Sequence, residues 1–531
     1  MTGTNQAAWL SALLLVLTLA AAAAFWPSLQ AEFVSDDRNA IVWNEHVTGP
    51  FDPVAIFTGF SWWGSSRADS RGYRPLATLS FAVNHLLGGL DVGGYHIVNI
   101  ALHALVSWLL ALTAIALGLT MAEAVTAAMV FALMPIHTEA VAWVVGRAEL
   151  MAAAGYLGAL ICILAYRRSG RAWQLCGASL CLLAGLLCKE NAATILAAPC
   201  ILAACMPVKP LRRDVLALAA LAAALFIGLA LRAKAGPLMV AAGGDLLDNP
   251  LAGLPASTRC LGAISVMGRY LALSLWPRPL SVDYSYDSLA IGEGFIADTH
   301  SLLALGAVAI AFWAGWRRRK TTPAVTVALL LAASAYSMVS NLIVPIGTIM
   351  GERLFYLPSA GLCLAVSPFV LRLIRSHAPW GWILVAAATL AWTYVDVERS
   401  HQWRTPVTLF EAAAEAYPRS ARAHMELASA YGRRGRSEEA IEHFRRSIAI
   451  IPDYAAAHYN MGNLLARTGR YPEAVAAYRS AVEHSPGLEQ AWYNLGLTLQ
   501  LQGRTSESRH ALERAYQLRG ETKVANPISG R

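Results

Sequence analysis

Asp36 and Asp37 stand side by side in residues 33–46, FVSDDRNAIVWNEH, directly after the first apolar run at 9–29. Two carboxylates held at a membrane boundary and facing a cavity can supply a general base or bind a divalent cation. In an ordinary turn the same dipeptide only caps a helix. Four further groups of polar residues recur where apolar runs end. They are Tyr73, Arg74 and Pro75; His137 and Glu139 running on to Arg147 and Glu149; Lys189, Glu190 and Asn191; and Gly351, Glu352 and Arg353. Ionisable groups at membrane depth are costly and normally point inward to a partner or a wet pathway. Arg74, Arg147, Lys189 and Arg353 are suited to a phosphate, which arginine can grip with two parallel bonds. The plain alternative is a local ion pair, Lys189 with Glu190 or Glu352 with Arg353. His137 and Glu139 offer two ligands, too few for a metal site of their own.

These residues need a scaffold, and composition names its class. Of 531 residues, 56% are hydrophobic and 14% charged, against roughly 25% charged in a soluble domain. Mean hydropathy is +0.46. The long apolar runs read as a polytopic helical membrane protein. The net charge of +8 does not make a nucleic-acid binder, because outside the C-terminal part the basic residues concentrate in short loops. Arg167, Arg168 and Arg171, then Lys209, Arg212 and Arg213, then residues 317–320, then Arg372 and Arg375 should face the cytoplasm. That places all the acids and cations above on the opposite face. Twelve apolar runs conflict in parity with these loops, so about eleven spans are expected, with 260–276 or 302–316 only half-embedded. Residues 30–94 form a first extracytoplasmic loop, with Ser61, Trp62 and Trp63 and an interfacial helix at 76–87. The start of the chain lacks the basic segment of a cleaved signal, so 9–29 reads as a retained span. All eight cysteines fall in apolar segments and read as packing residues.

From about residue 398 the pattern changes to a period of 34. His424, His458 and Trp492 align, as do Leu427, Met461 and Leu495; Ala428, Gly462 and Gly496; and Phe444, Tyr478 and Leu512. Small and large residues alternating in this way let paired helices stack as tetratricopeptide (TPR) repeats. Phe410, Ala413 and Pro418 look like half of a preceding unit, giving about 3.5 repeats. The expected organisation is all-α: a membrane domain over 1–397 and a TPR solenoid over 398–531. On eleven spans the repeats share the face of Asp36.

SDDRNAIVWNEHV, YRPLATLSFAVNHLLGGLDVGGYHIVNIALHALVSWLL, MPIHTEAVAWVVGRAEL, LLCKENAATIL, LWPRPLSVDYSYD, VPIGTIMGERLFYLPSAGLCL and ERSHQWRTPVTLFEAAAEAYP occur in this order. With trailing TPR units, they resemble the transmembrane and TPR-containing protein O-mannosyltransferases of the GT-C superfamily. The resemblance runs from Phe33 nearly to the end of the chain. It implies transfer of a sugar, with inversion, from a polyprenyl phosphate to an acceptor hydroxyl such as a protein Ser or Thr. An acid in the first extracytoplasmic loop would be the general base, a role falling on Asp36 or Asp37, with Asp36 preferred. Arg74, Arg147, Lys189 and Arg353 would neutralise the departing lipid phosphate. His137, Glu139, Glu149, Glu190 and Glu352 would orient sugar hydroxyls or those cations, and Tyr284 and Tyr286 would line the pocket. No cofactor is implied; a divalent cation at Asp36 and Asp37 stays open.

The TPR array is shorter than in eukaryotic members, so the acceptor is not carried over. The repeats would bind a peptide, position another membrane enzyme or brace the Asp36 loop. Alanine-rich spans point to a bacterial inner membrane with a periplasmic site. The rivals are a glycan or lipid acceptor, a non-catalytic TPR scaffold, and a transporter. The last lacks evident inverted repeats.

Overall fold

The computed structural model describes residues 3–59, 72–207, 211–235, 247–286, 299–377 and 379–520. Ser61, Trp62, Trp63 and Lys209 lie outside the described residues. Among those described, every regular element is helical. The chain divides into two compact units, Met1–Val282 with Ala290–Thr405, and Asp283–Leu289 with Pro406–Arg531.

In the first unit, six helices among the described residues are long and apolar enough to cross a membrane: Ala8–Gln30, Val92–Ala116, Val144–Ser169, Arg212–Ala235, Glu352–Ser376 and Trp380–Gln402. Met121–Ala132 with Pro135–Ala142, bent by 53°, makes a seventh if the pair is one span. The protein is multi-pass, but the eleven expected spans exceed this number. Helix length accounts for part of the difference. Ala172–Leu186 and Pro323–Ser337 have 15 residues each, about 22 Å at 1.5 Å per residue, against a hydrocarbon core ~30 Å thick. Such short helices are tolerated where protein covers their ends.

Local chemistry sets the helix boundaries. Thr120 and Glu123 form a reciprocal capping box that starts Met121–Ala132. Pro135 then forces the break, and a short turn at Pro135–His137 and the helix Thr138–Ala142 follow. Two helices approach closely where a Cβ on Gly155 would lie 2.7 Å from the Cys181 carbonyl oxygen. Small residues permit that contact.

The second unit stacks the helices Ala421–Arg433, Ser437–Ile450, Ala455–Arg467, Tyr471–His484, Glu489–Leu501 and Thr505–Arg519, preceded by Pro406–Ala416. The columns read from sequence meet in space: a Cβ on Gly462 would fall 2.7 Å from the Tyr478 ring, and one on Gly496 2.7 Å from Leu512. Gly435, Gly469 and Gly503 turn each helix pair at φ of 78°, 76° and 74°, a backbone region that glycine enters without penalty. Asp283 joins this unit. Its carboxylate accepts from Ser285 Oγ at 2.8 Å and from Ser420 Oγ at 2.5 Å, and Ser420 in turn caps the first full repeat.

Candidate active site

Residues 31–43 hold the two acids in different environments. Phe33, Ala40, Ile41 and Val47 pack against Ala77, Phe81, Tyr95, Val144 and Ala148, pinning the loop to the helix Pro75–Gly88. Ser35 takes a left-handed φ of 49°, costly for a residue with a side chain. A five-residue π turn, Arg38–Val42, follows, closed by Trp43 N–H donating to the Arg38 carbonyl at 2.8 Å. Single π turns cluster at functional sites. Between these irregular elements Asp36 and Asp37 part company.

Asp37 turns into the protein. Its Oδ2 accepts from Val34 N–H at 3.1 Å and its Oδ1 from Val145 N–H at 3.0 Å, and it is 1% exposed. Each oxygen thus accepts a backbone N–H. Burial pushes the Asp37 carboxyl up to about 8, against the pull of its backbone donors. The ordinary value is about 3.9, so from pH 4 to 8 the folded state holds a proton that the unfolded chain has released. Stability should therefore fall as pH rises through that window. Melting wild type beside Asp37→Asn from pH 4 to 8 checks this: the wild-type slope should exceed that of the variant.

Asp36 is half-buried and lines a cavity of about 200 Å³ with Arg74, Trp143, Glu149, Lys189 and Arg353. Pro75 disfavours helix at Arg74, which sits just before Pro75–Gly88. Leu76 N–H donates to the Leu187 carbonyl at 3.2 Å, drawing this helix start beside Lys189. The Lys189 ammonium bonds Glu149 Oε1, whose other oxygen accepts from Asn191 Nδ2 at 3.0 Å. Arg353 N–H donates to Glu139 Oε2 at 2.8 Å, while its guanidinium pairs with Glu139 Oε1. The same guanidinium lies 4.9 Å from the centre of the Trp143 ring, within cation–π range. The cavity thus gathers the carboxylates of Asp36 and Glu149 and the cations Arg74, Lys189 and Arg353, with Lys189 paired to Glu149 and Arg353 to Glu139. Among the described residues no cluster of three His, Cys, Asp or Glu side chains could hold a metal ion.

Other residues singled out from the sequence sit elsewhere. Arg147 is fully buried and lies behind the cavity. Its guanidinium donates to Asn99 Oδ1 (2.9 Å), Asn84 Oδ1 (2.7 Å) and the carbonyls of Tyr95 (2.8 Å) and Ser80 (3.2 Å). Four of its five N–H donors are engaged by the protein, and the side chain lies outside the cavity lining. It acts as a brace and does not meet the expectation of a phosphate ligand. His137 is buried between the Phe131 carbonyl and Ser359 Oγ. Glu352 turns from the cavity to accept from Ser281 N–H at 2.6 Å. Glu190 is outside the lining but interacts by charge with Arg74 and Lys189. Tyr284 packs edge-on against Tyr417 at 5.4 Å within the second unit, and Tyr286 is exposed there. Sequence reasoning misses Trp143, although it lies inside the MPIHTEAVAWVVGRAEL stretch. Its signal is an aromatic between two charged groups.

Residues 419–486 and 453–521 match the tetratricopeptide repeat family. Over 473 residues the chain is 28% identical to Protein O-mannosyl-transferase TMTC3 of Mus musculus, covering 81% of this chain and 50% of that protein. It is 29% identical over 501 residues to Protein O-mannosyl-transferase TMTC1 of Homo sapiens, covering 80% and 53%. Over a shorter stretch of 175 residues, 32% of this chain, identity to Drosophila melanogaster Protein O-mannosyl-transferase Tmtc1 reaches 43%. The chain spans about half the length of the curated relatives it matches over most of its own. It is a multi-pass membrane protein with a tetratricopeptide array, similar over four-fifths of its length to the transmembrane and TPR-containing protein O-mannosyl-transferases.

Proposed function

We propose that the protein transfers mannose from a polyprenyl phosphate to a Ser or Thr hydroxyl of a polypeptide, with inversion. The observation that carries this is the cavity in which Asp36 stands with Arg74, Lys189 and Arg353. The Asp36 carboxylate takes the acceptor proton as the hydroxyl oxygen attacks the anomeric carbon from the face opposite the phosphate. The new C–O bond forms as the old one breaks, and its electron pair leaves on the lipid phosphate. Arg74, Lys189 and Arg353 neutralise the charge that gathers there, and preorganised charge of this kind usually contributes more to rate than any other effect. Glu149 and Glu139 hold two of these cations in place, and Trp143 supports the Arg353 guanidinium from beneath. No step requires a metal. The names of the relatives support mannose and a protein acceptor, and the TPR unit supplies a surface for that polypeptide.

We place the cavity on the extracytoplasmic side of a bacterial inner membrane. The span Val144–Ser169 carries Glu149 near its start and Arg167 and Arg168 at its end; Glu352–Ser376 carries Arg353 at its start and Arg372 and Arg375 near its end. Each start carries one basic residue, Arg147 or Arg353, and each far end two. The end richer in basic residues faces the cytoplasm, which supports this orientation.

The test is incubation of purified protein in lipid nanodiscs with polyprenyl-phosphate-[3H]mannose and a Ser/Thr-rich peptide. Labelled peptide and free polyprenyl phosphate should appear in equal amounts. No transfer, together with no lipid-linked sugar bound by mass spectrometry, would replace the enzyme with a membrane scaffold.

A further inference from the structure

The ERSHQW segment, residues 398–403, has no part in the chemistry above, yet its buried side chains converge on the site. On the helix Trp380–Gln402 and the residue that follows it, Asp396, Arg399 and Trp403 are three and four residues apart, hence on one face. They are 0%, 2% and 0% exposed. Asp396 Oδ1 accepts from Thr138 Oγ1 at 3.1 Å; Thr138 precedes Glu139, the carboxylate that holds Arg353. Arg399 Nη2 lies 3.8 Å from Glu352 Oε1, and Glu352 precedes Arg353. Trp403 stacks on Trp143 with ring centres 5.8 Å apart and planes at 30°, and Trp143 lies beneath the Arg353 guanidinium. Three separate contacts from one helix face thus reach a single cavity side chain through its acid, its backbone and its aromatic support.

Stability alone does not explain these residue types. Asp396 Oδ2, Arg399 Nε, Trp403 Nε1 and Trp143 Nε1 are buried without a hydrogen-bond partner among the described residues. Buried charges with incomplete bonding return little or no net stability, and well-packed apolar residues of similar volume often do as well or better. What such groups provide is direction. We propose that Asp396, Arg399 and Trp403 are positioning residues that fix the Arg353 guanidinium over the cavity. The kinetic arm of this inference rests on the transfer reaction proposed above; the structural arm does not.

The experiment compares full-length wild type with Arg399→Gln paired with Glu352→Gln, which removes the buried ion pair without stranding either charge. Trp403→Phe is the milder companion, keeping an aromatic ring should the double variant fail to fold. Each is assayed for KM of the lipid-linked mannose and for kcat, and each is imaged by cryo-electron microscopy. Misplacement of a binding group by about 1 Å can cost ~100-fold. The expected result is a kcat/KM lowered ~10- to 100-fold in folded protein, with Arg353 displaced from Glu139 or Trp143 in the map. The loss should fall mainly on kcat, because Arg353 meets charge that develops on the phosphate. Unchanged KM and kcat with Arg353 still seated on both partners would overturn the proposal and leave a purely structural network. If wild type transfers no sugar, the proposed reaction falls, and the map still decides: displaced Arg353 upholds the positioning role and an unmoved Arg353 removes it.

Discussion

Asp36→Asn should lower sugar transfer by about 10³-fold while leaving the protein folded. An amide of the same shape cannot take the acceptor proton, and losing a positioned base costs ~10²- to 10⁴-fold. Asp36 lines the cavity half-buried, so the swap should cost no more than about 1 kcal/mol of stability. The measurement is kcat alongside a melting curve, with Asp37→Asn as the comparison. Asp37 holds residues 34 and 145 together, so any activity its variant loses should follow lost folding. Full activity in folded Asp36→Asn, with a folded but inactive Asp37→Asn, would transfer the role of base to Asp37.

Arg353→Gln carries the second large effect, and a double variant separates its two causes. The side chain of Glu139 is 1% exposed and its partner is Arg353. Removing the cation leaves the buried Glu139 carboxylate with the residue 353 N–H but no counter-charge. Because the Arg353 side chain is 27% exposed, the cost should lie at or below the ~3–5 kcal/mol of a fully buried pair. Arg353→Gln should therefore melt early as well as transfer poorly. Adding Glu139→Gln removes the stranded charge, so melting should recover. Transfer should stay down by about 10²- to 10³-fold, because the cation proposed to meet the phosphate is still missing. Recovery of transfer together with stability would mean that Arg353 braces the fold and does not bind the donor.

Much of this protein is legible without coordinates because its signals are local and periodic. The 34-residue period predicts which small residue meets which large one, and Gly462 against Tyr478 is such a meeting. A solenoid repeat touches mainly its neighbours, so spacing along the chain is spacing in space. Hydrophobic runs name a membrane protein for a similar reason: the bilayer acts on each segment separately. The number of spans is less legible, since apolar helices of 15 residues can be held by neighbouring helices as well as by lipid.

Within the candidate site, the sequence by itself determined the set of charged residues, and Asp36, Arg74, Glu149, Lys189 and Arg353 do share one cavity. Only the tertiary structure decided which member of each adjacent pair faces it. Successive residues in a turn point in widely different directions, and Ser35 in the left-handed region sets the direction for Asp36 and Asp37. In the 3₁₀ turn Glu352–Phe355, Arg353 reaches Glu139 while Glu352 reaches Ser281. Arg147 is drawn away from the cavity by Asn84, Asn99 and the Tyr95 carbonyl, 63, 48 and 52 residues away in the chain. Spacing tells which charges gather at one end of a set of helices; partners supplied from elsewhere in the chain decide which of them remain turned toward a ligand.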